Sequence, residues 1–91
     1  MKYEITRTTQ FKKDYKLIKK RKKNLDLLKQ IVFKLANQIP LDEKYRDHEL
    51  TGKYKGFREC HIEPDWLLIY LVEKDSLTLT LTRTGSHSDL F

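Results

Sequence analysis

The sequence predicts an α+β fold of order β-α-α-β-β-β, with a helical hairpin packed on one face of a twisted, mostly antiparallel sheet. Three observations predict it. Apolar residues recur at helical spacing in two successive stretches between Phe11 and Ile39. Three strand-like runs follow, joined by connections so short that neighbours are expected to be antiparallel. The last of these, Leu77 to Thr82, alternates leucine and threonine without a break.

The first element is a short strand from Lys2 to Arg7, where Tyr3, Ile5 and Arg7 alternate with Lys2, Glu4 and Thr6. Thr8 or Thr9 then caps a helix whose stripe is Phe11, Tyr15 and Ile18, with Leu17 beside it and Lys12, Lys13, Lys16, Lys19 and Lys20 on the other faces. Arg21 to Asn24 interrupts the pattern, and Asn24 suits the N-cap of a second helix with Leu25, Leu28, Val32, Leu35 and Ile39 on one side. Pro40 is expected to end it. Helices joined by so short a turn form an antiparallel pair, and each needs a sheet on which to bury its stripe.

Residues 40–56 are polar, punctuated by Pro40, Gly52 and Gly56, and read as a long loop. A small domain keeps such a loop for a function. The strand runs that follow are Phe57 to Ile62, Trp66 to Val72 and Leu77 to Arg83. The middle run is apolar on both faces, as a central strand requires, while Leu77, Leu79 and Leu81 of the last are expected to face the core.

Composition bounds the function. With 91 residues, 38% hydrophobic and 35% charged, residues 1–91 are expected to form one globular domain. Nineteen Lys and Arg against thirteen Asp and Glu leave a formal charge of +6, which favours a polyanionic partner. Cys60 is the one cysteine, so an internal disulfide is excluded and a cytoplasmic location is expected. The first twenty residues carry charges throughout and no apolar run approaches the ~20 residues that span a bilayer, so neither a signal peptide nor a membrane span is expected.

All three histidines lie in the second half: His48 in the long loop, His61 at a strand end and His87 near the tail. A hairpin between the first two late strands brings His61, Asp65 and Trp66 together. Histidine titrates near neutrality and serves as acid or base, so three of them with Asp65 suffice for proton transfer. RNA suits such a site because its 2′-hydroxyl is an internal nucleophile. Arg83 would stabilise charge on the phosphorane, and Trp66 and Phe91 would stack on bases.

Plainer roles stand beside these. A lone histidine in a turn is more often a cap than a catalyst. Trp66 suits a core position equally well, and Arg83 suits an ion pair with Asp65 or Glu63. The lysines from Lys12 to Lys23 suit a solvated face, and Cys60 a buried small hydrophobe. The histidine spacing matches no compact zinc motif, so no metal or other cofactor is expected.

Asp47 to Gly52, Gly56 to Tyr70 and Arg83 to Phe91 resemble, in that order, three signature blocks of YafQ-type toxins in the RelE/ParE superfamily. The resemblance spans the chain and is tightest over residues 45–91. It implies a microbial-ribonuclease-like fold, a toxin of a type II toxin–antitoxin system, and metal-independent cleavage of messenger RNA in the ribosomal A site. It implies as partners the ribosome, its message and a cognate antitoxin, in a hetero-oligomeric complex that binds operator DNA through the antitoxin. Position by position it puts His48, His61, Asp65 and His87 at the acid/base centre, Arg83 on the scissile phosphate, and Trp66 and Phe91 near substrate. His87 is the candidate general acid; His48, His61 and Asp65 are candidates for the base. The alternatives are a toxin of the ParE branch acting on DNA gyrase, which is not expected to carry this histidine set, and a basic nucleic-acid-binding module.

Overall fold

The computed structural model describes residues 2–91. The order is β1 (Glu4–Arg7), α1 (Thr9–Lys20), α2 (Leu25–Ala36), β2 (His48–Glu49), β3 (Arg58–Glu63), β4 (Trp66–Glu73), β5 (Thr78–Gly85) and α3 (His87–Leu90), with single 3-10 turns at Glu43–Tyr45 and Gly52–Tyr54. The five strands form one sheet in the order β1-β5-β4-β3-β2. Only the β1–β5 pair is parallel; the other three are antiparallel. This is an α+β fold with a helical pair on a mostly antiparallel sheet, as the sequence predicts, and it adds a third helix and a fifth strand.

Local chemistry sets the helix starts. The Thr8 hydroxyl accepts the Phe11 N–H at 2.9 Å, and Asn24 Oδ1 accepts the Asp26 N–H at 3.1 Å, each satisfying a donor that has no partner inside its helix. Phe11 and Ile18 from α1 and Leu28, Ile31, Val32 and Ala36 from α2 then pack on Cys60, Ile62, Trp66, Leu68, Tyr70, Leu79 and Leu81 of the sheet. Burying each large apolar side chain contributes roughly 1.5–3 kcal/mol, which is what holds these two short helices in place.

Five local expectations are corrected. Helix α2 stops at Ala36, short of Pro40: Gln38 turns left-handed at φ 57°, and Ile39 is exposed. The long loop contains β2, which pairs with β3 and makes the sheet five-stranded, and the tail winds into α3. Leu77 does not face the core; it sits in the β4–β5 turn at φ 51° and is exposed, while Leu79 and Leu81 are buried. The alternation of β5 also breaks at Thr82. Tyr70 pairs with Leu81 but Ile69 with Arg83, so Thr82 bulges out of register.

That bulge decides which face carries the chemistry. A strand alternates faces with period two, so one extra residue moves everything after it to the opposite side. Arg83 therefore leaves the leucine face and joins Leu67 and Ile69, which with Leu90 form a second, smaller cluster that Leu50, Tyr54 and Phe57 flank. No helix among the described residues is long and apolar enough to cross a membrane.

Candidate active site

Across the face opposite the helical hairpin, His48 of β2 pairs with Glu59 of β3, Glu59 with Ile69 of β4, and Ile69 with Arg83 of β5. Directly paired residues share a face, so these four make one row. The next row runs His61, Leu67, Gly85, and His87 follows two residues later at the start of α3. The sheet thus gathers the three histidines, with ring centroids 6.4 Å apart for His48 and His61 and 5.7 Å apart for His61 and His87.

Sequence reasoning missed the group at their centre. Glu59 is 4% exposed, and its Oε1 lies 3.7 Å from His48 Nε2 and 3.6 Å from His61 Nε2. Its other oxygen is buried without a hydrogen-bond partner. The available signal was parity: Glu59 and His61 are two apart on one strand and so face the same way, and a carboxylate buried in mid-strand is costly unless the site uses it.

Backbone carbonyls orient both imidazoles. The Arg46 carbonyl lies 2.7 Å from His48 Nδ1 and the Pro64 carbonyl 3.2 Å from His61 Nδ1. A carbonyl only accepts, so Nδ1 carries the hydrogen in both rings and Nε2 faces Glu59. His87 is held differently. Its backbone N–H and its Nδ1–H both donate to Asp65 Oδ1, at 2.9 and 2.8 Å. The backbone bond and then the ring bond from His87 hold the Asp65 carboxyl below its usual range. Five of the six imidazole nitrogens therefore face these partners. His87 Nε2 is the sixth, on a side chain that is 56% exposed.

The segment that carries His87 is fastened from below. Asp89 and Ser86 form a reciprocal capping box, and Asp89 Oδ2 accepts the Ser86 N–H at 2.8 Å. Arg21 grips the same carboxylate through two bonds, of 2.7 and 3.2 Å, and holds its pKa well below the usual carboxylate range. Gly85, at φ 159°, leaves room for this: a Cβ there would come within 2.9 Å of Asp89 Oδ2.

Two expected residues stand elsewhere than the sequence suggests. Trp66 does not offer a stacking surface: it is fully buried on the helix side, and its Nε1–H donates to Thr84 Oγ1 at 2.9 Å. Arg83 pairs with neither Asp65 nor Glu63. Its Nε and Nη2 bind Asp14 of α1 at 2.8 and 3.2 Å, and the same carboxylate accepts the Thr84 N–H at 3.1 Å, just beyond the last β1–β5 pair at Leu81. Phe91 is exposed and meets Tyr54 edge-on at 6.0 Å. Cys60 is buried on the helix side, and burial pushes its thiol pKa up. Among the described residues, no three His, Cys, Asp or Glu side chains are grouped so as to hold a metal ion.

Residues 3–91 match the family described as bacterial toxin of type II toxin-antitoxin system, YafQ. The chain belongs to the YafQ family. It is 45% identical over 89 residues to the mRNA interferase toxin YafQ of Escherichia coli K12, covering 97% of this chain and 95% of that one. The structure is similar to the crystal structure of a metal-bound toxin from Helicobacter pylori, with a TM-score of 0.92 and 47% identity over the whole of both chains. It is also similar to a chain of the E. coli DinJ–YafQ toxin–antitoxin complex, with a TM-score of 0.89 and 42% identity over 100% of this chain and 99% of that one. The YafQ blocks recognised in the sequence contain the three histidines and Asp65 that meet on the open face, together with Glu59 between them.

Proposed function

We propose that this chain is a cytoplasmic mRNA interferase: a ribosome-dependent endoribonuclease that cuts message in the A site and is neutralised by a cognate antitoxin. The observation that carries the chemistry is the His48–Glu59–His61 group facing the Asp65–His87 pair across one sheet face. Its kinship with a toxin named an mRNA interferase, and with one crystallised with its antitoxin, supports the substrate and the partner.

The 2′-hydroxyl attacks the adjacent phosphorus, the P–O5′ bond breaks, and the products are a 2′,3′-cyclic phosphate and a 5′-hydroxyl. The nucleophile belongs to the substrate, so the reaction needs no metal-activated water. The His48–Glu59–His61 group takes the 2′ proton, with the Glu59 carboxylate within 3.7 Å of both Nε2 atoms to balance the positive charge that the ring gains. His87 delivers a proton from Nε2 to the departing 5′-oxygen, while Asp65 fixes its tautomer and steadies the imidazolium. Arg83, locked flat by Asp14, presents a pre-organised guanidinium to the charge that develops on phosphorus. Phe91 offers an exposed ring for a base.

The test is cleavage of ribosome-bound message by the purified chain, with the ordinary message and with one that is 2′-deoxy at the attacked nucleotide. Cleavage that leaves 5′-hydroxyl ends and stops when the attacked nucleotide is 2′-deoxy is the expected result. Equal cleavage of the 2′-deoxy substrate would exclude 2′-hydroxyl attack.

A further inference from the structure

A cavity of about 450 Å³ opens beside the histidine cluster, between the start of α2, the Glu43–Tyr45 turn and the end of β3. Lys44, Tyr45, Arg46, His61 and Glu63 are among the residues that line it, so a wall of the proposed catalytic centre is also a wall of this pocket, and the Glu63 carboxylate is paired with Lys23 at 3.3 Å. Its size falls within the range of small-ligand sites.

Arg46 is the unusual residue there. It adopts the left-handed conformation at φ 49°, ψ 44°, which an arginine rarely does and which glycine or asparagine adopts more readily. The kink serves His48, because it is the Arg46 carbonyl that accepts the His48 Nδ1–H at 2.7 Å. An asparagine would serve the backbone equally well. The left-handed turn therefore does not account for the guanidinium, and none of the described residues occupies it. Arg21 holds Asp89, Arg58 holds Asp47 and Arg83 holds Asp14, whereas the exposed Arg46 side chain, like that of Arg7 at the opposite edge of the sheet, has no hydrogen-bond or ion-pair partner among the described residues. Beside it the Lys44 ammonium lies 5.2 Å from the centroid of the Tyr45 ring. An unspent planar cation, a second cation and a half-buried aromatic ring in one pocket match a ligand that joins a phosphate to a flat apolar ring.

We infer that this pocket is a nucleotide subsite adjoining the scissile phosphate, in which Arg46 and Lys44 hold a backbone phosphate and Tyr45 stacks on the base. It rests on the ribonuclease function proposed above and adds a determinant of which nucleotide flanks the cut. A free anion would need no aromatic wall, and an acidic peptide would need no flat one. The subsite makes Arg46 a binding residue rather than a proton-transfer group.

The experiment uses Arg46→Asn, which removes the charge while keeping the left-handed backbone that His48 depends on, with Arg46→Lys as the conservative variant. Binding of a labelled RNA oligonucleotide, 2′-deoxy at the cut position, is read by fluorescence anisotropy across a salt series. Arg46→Asn is expected to weaken binding about tenfold and to lower the salt slope by about one. In cleavage assays KM should rise while kcat stays at the parent value, and Arg46→Lys should recover most of the affinity. Tyr45→Leu should weaken binding by about tenfold with no change in salt slope, and Tyr45→Phe, which keeps the ring if Leu disturbs packing, should bind as the parent does. Unchanged affinity and salt slope in Arg46→Asn would overturn the subsite, as would a fall in kcat with KM constant, which would place the effect on His48. Oligoglutamate that displaces the RNA as well as an unlabelled oligonucleotide of matched charge would assign the pocket to an acidic peptide instead. Failure of the parent to cleave message would sink the ribonuclease function, whereas the binding series tests the subsite itself.

Discussion

His87 is tied to Asp65 twice: the backbone N–H and the ring Nδ1–H of one residue both donate to Oδ1 of the other, at 2.9 and 2.8 Å. One oxygen thereby fixes the start of α3, the tautomer of the imidazole and the direction of Nε2. The pairing suits Asp65 to orient His87, and the proposed mechanism accordingly gives the base role to the histidines around Glu59.

Replacing His87 by alanine should slow cleavage of ribosome-bound message by roughly 10²–10⁴-fold while leaving the fold intact, since the ring is exposed and packs on nothing in the core. Asp65→Asn keeps an acceptor for the backbone N–H but loses the charge, and should slow cleavage with little change in melting temperature. Single-turnover rates beside thermal melts check both. A His87→Ala variant as fast as its parent would remove this residue from the mechanism.

Glu59→Gln should move activity and stability in different directions. It removes a buried charge, one of whose oxygens has no partner, so stability should hold or rise by about 1 kcal/mol. Cleavage should fall by at least about tenfold, because the amide cannot share a proton with His48 and His61. Denaturant titration and single-turnover cleavage on the same preparation decide it; parallel losses in both would make Glu59 merely structural.

Asp89 predicts an acid-sensitive anchor. Its folded-state pKa is depressed, first by the Arg21 bond and then by the Ser86 N–H, from an ordinary value near 3.8. A depressed carboxylate stabilises the fold fully above its unfolded pKa and loses that contribution as pH falls through the folded one. Melting temperatures of parent and Asp89→Asn should therefore differ by a constant amount from neutrality down to about pH 5, and converge below about pH 4. A gap that widens on acidification would contradict the Arg21–Asp89 assignment.

Trp66→Phe should cost roughly 1–3 kcal/mol of stability, because it leaves a small void and strips Thr84 Oγ1 of its buried donor. Cleavage at saturating message should be unchanged. A variant as stable as the parent but slower would return Trp66 to the substrate.

Much of the fold was legible because its signals are local. Thr8 and Asn24 announce helix starts through their own side chains, the stripe from Phe11 to Ile18 needs only helical spacing, and the apolar run from Trp66 to Val72 reads as central wherever it sits. The family blocks likewise placed His48, His61, Asp65 and His87 together before any distance was known.

What the sequence by itself determined, then, is the order and type of the main elements and the residue types gathered for acid–base work. Tertiary structure decided which face each residue serves. Strand pairing recruited His48 and Glu49 from an apparent loop, the bulge at Thr82 carried Arg83 away from the leucine face, and folding buried Trp66 on the helix side while setting Glu59 between two histidines. The reason is physical: periodicity reports a residue's neighbours along its own chain, whereas register and burial depend on partners far away in sequence, such as Asp14 for Arg83 and Arg21 for Asp89.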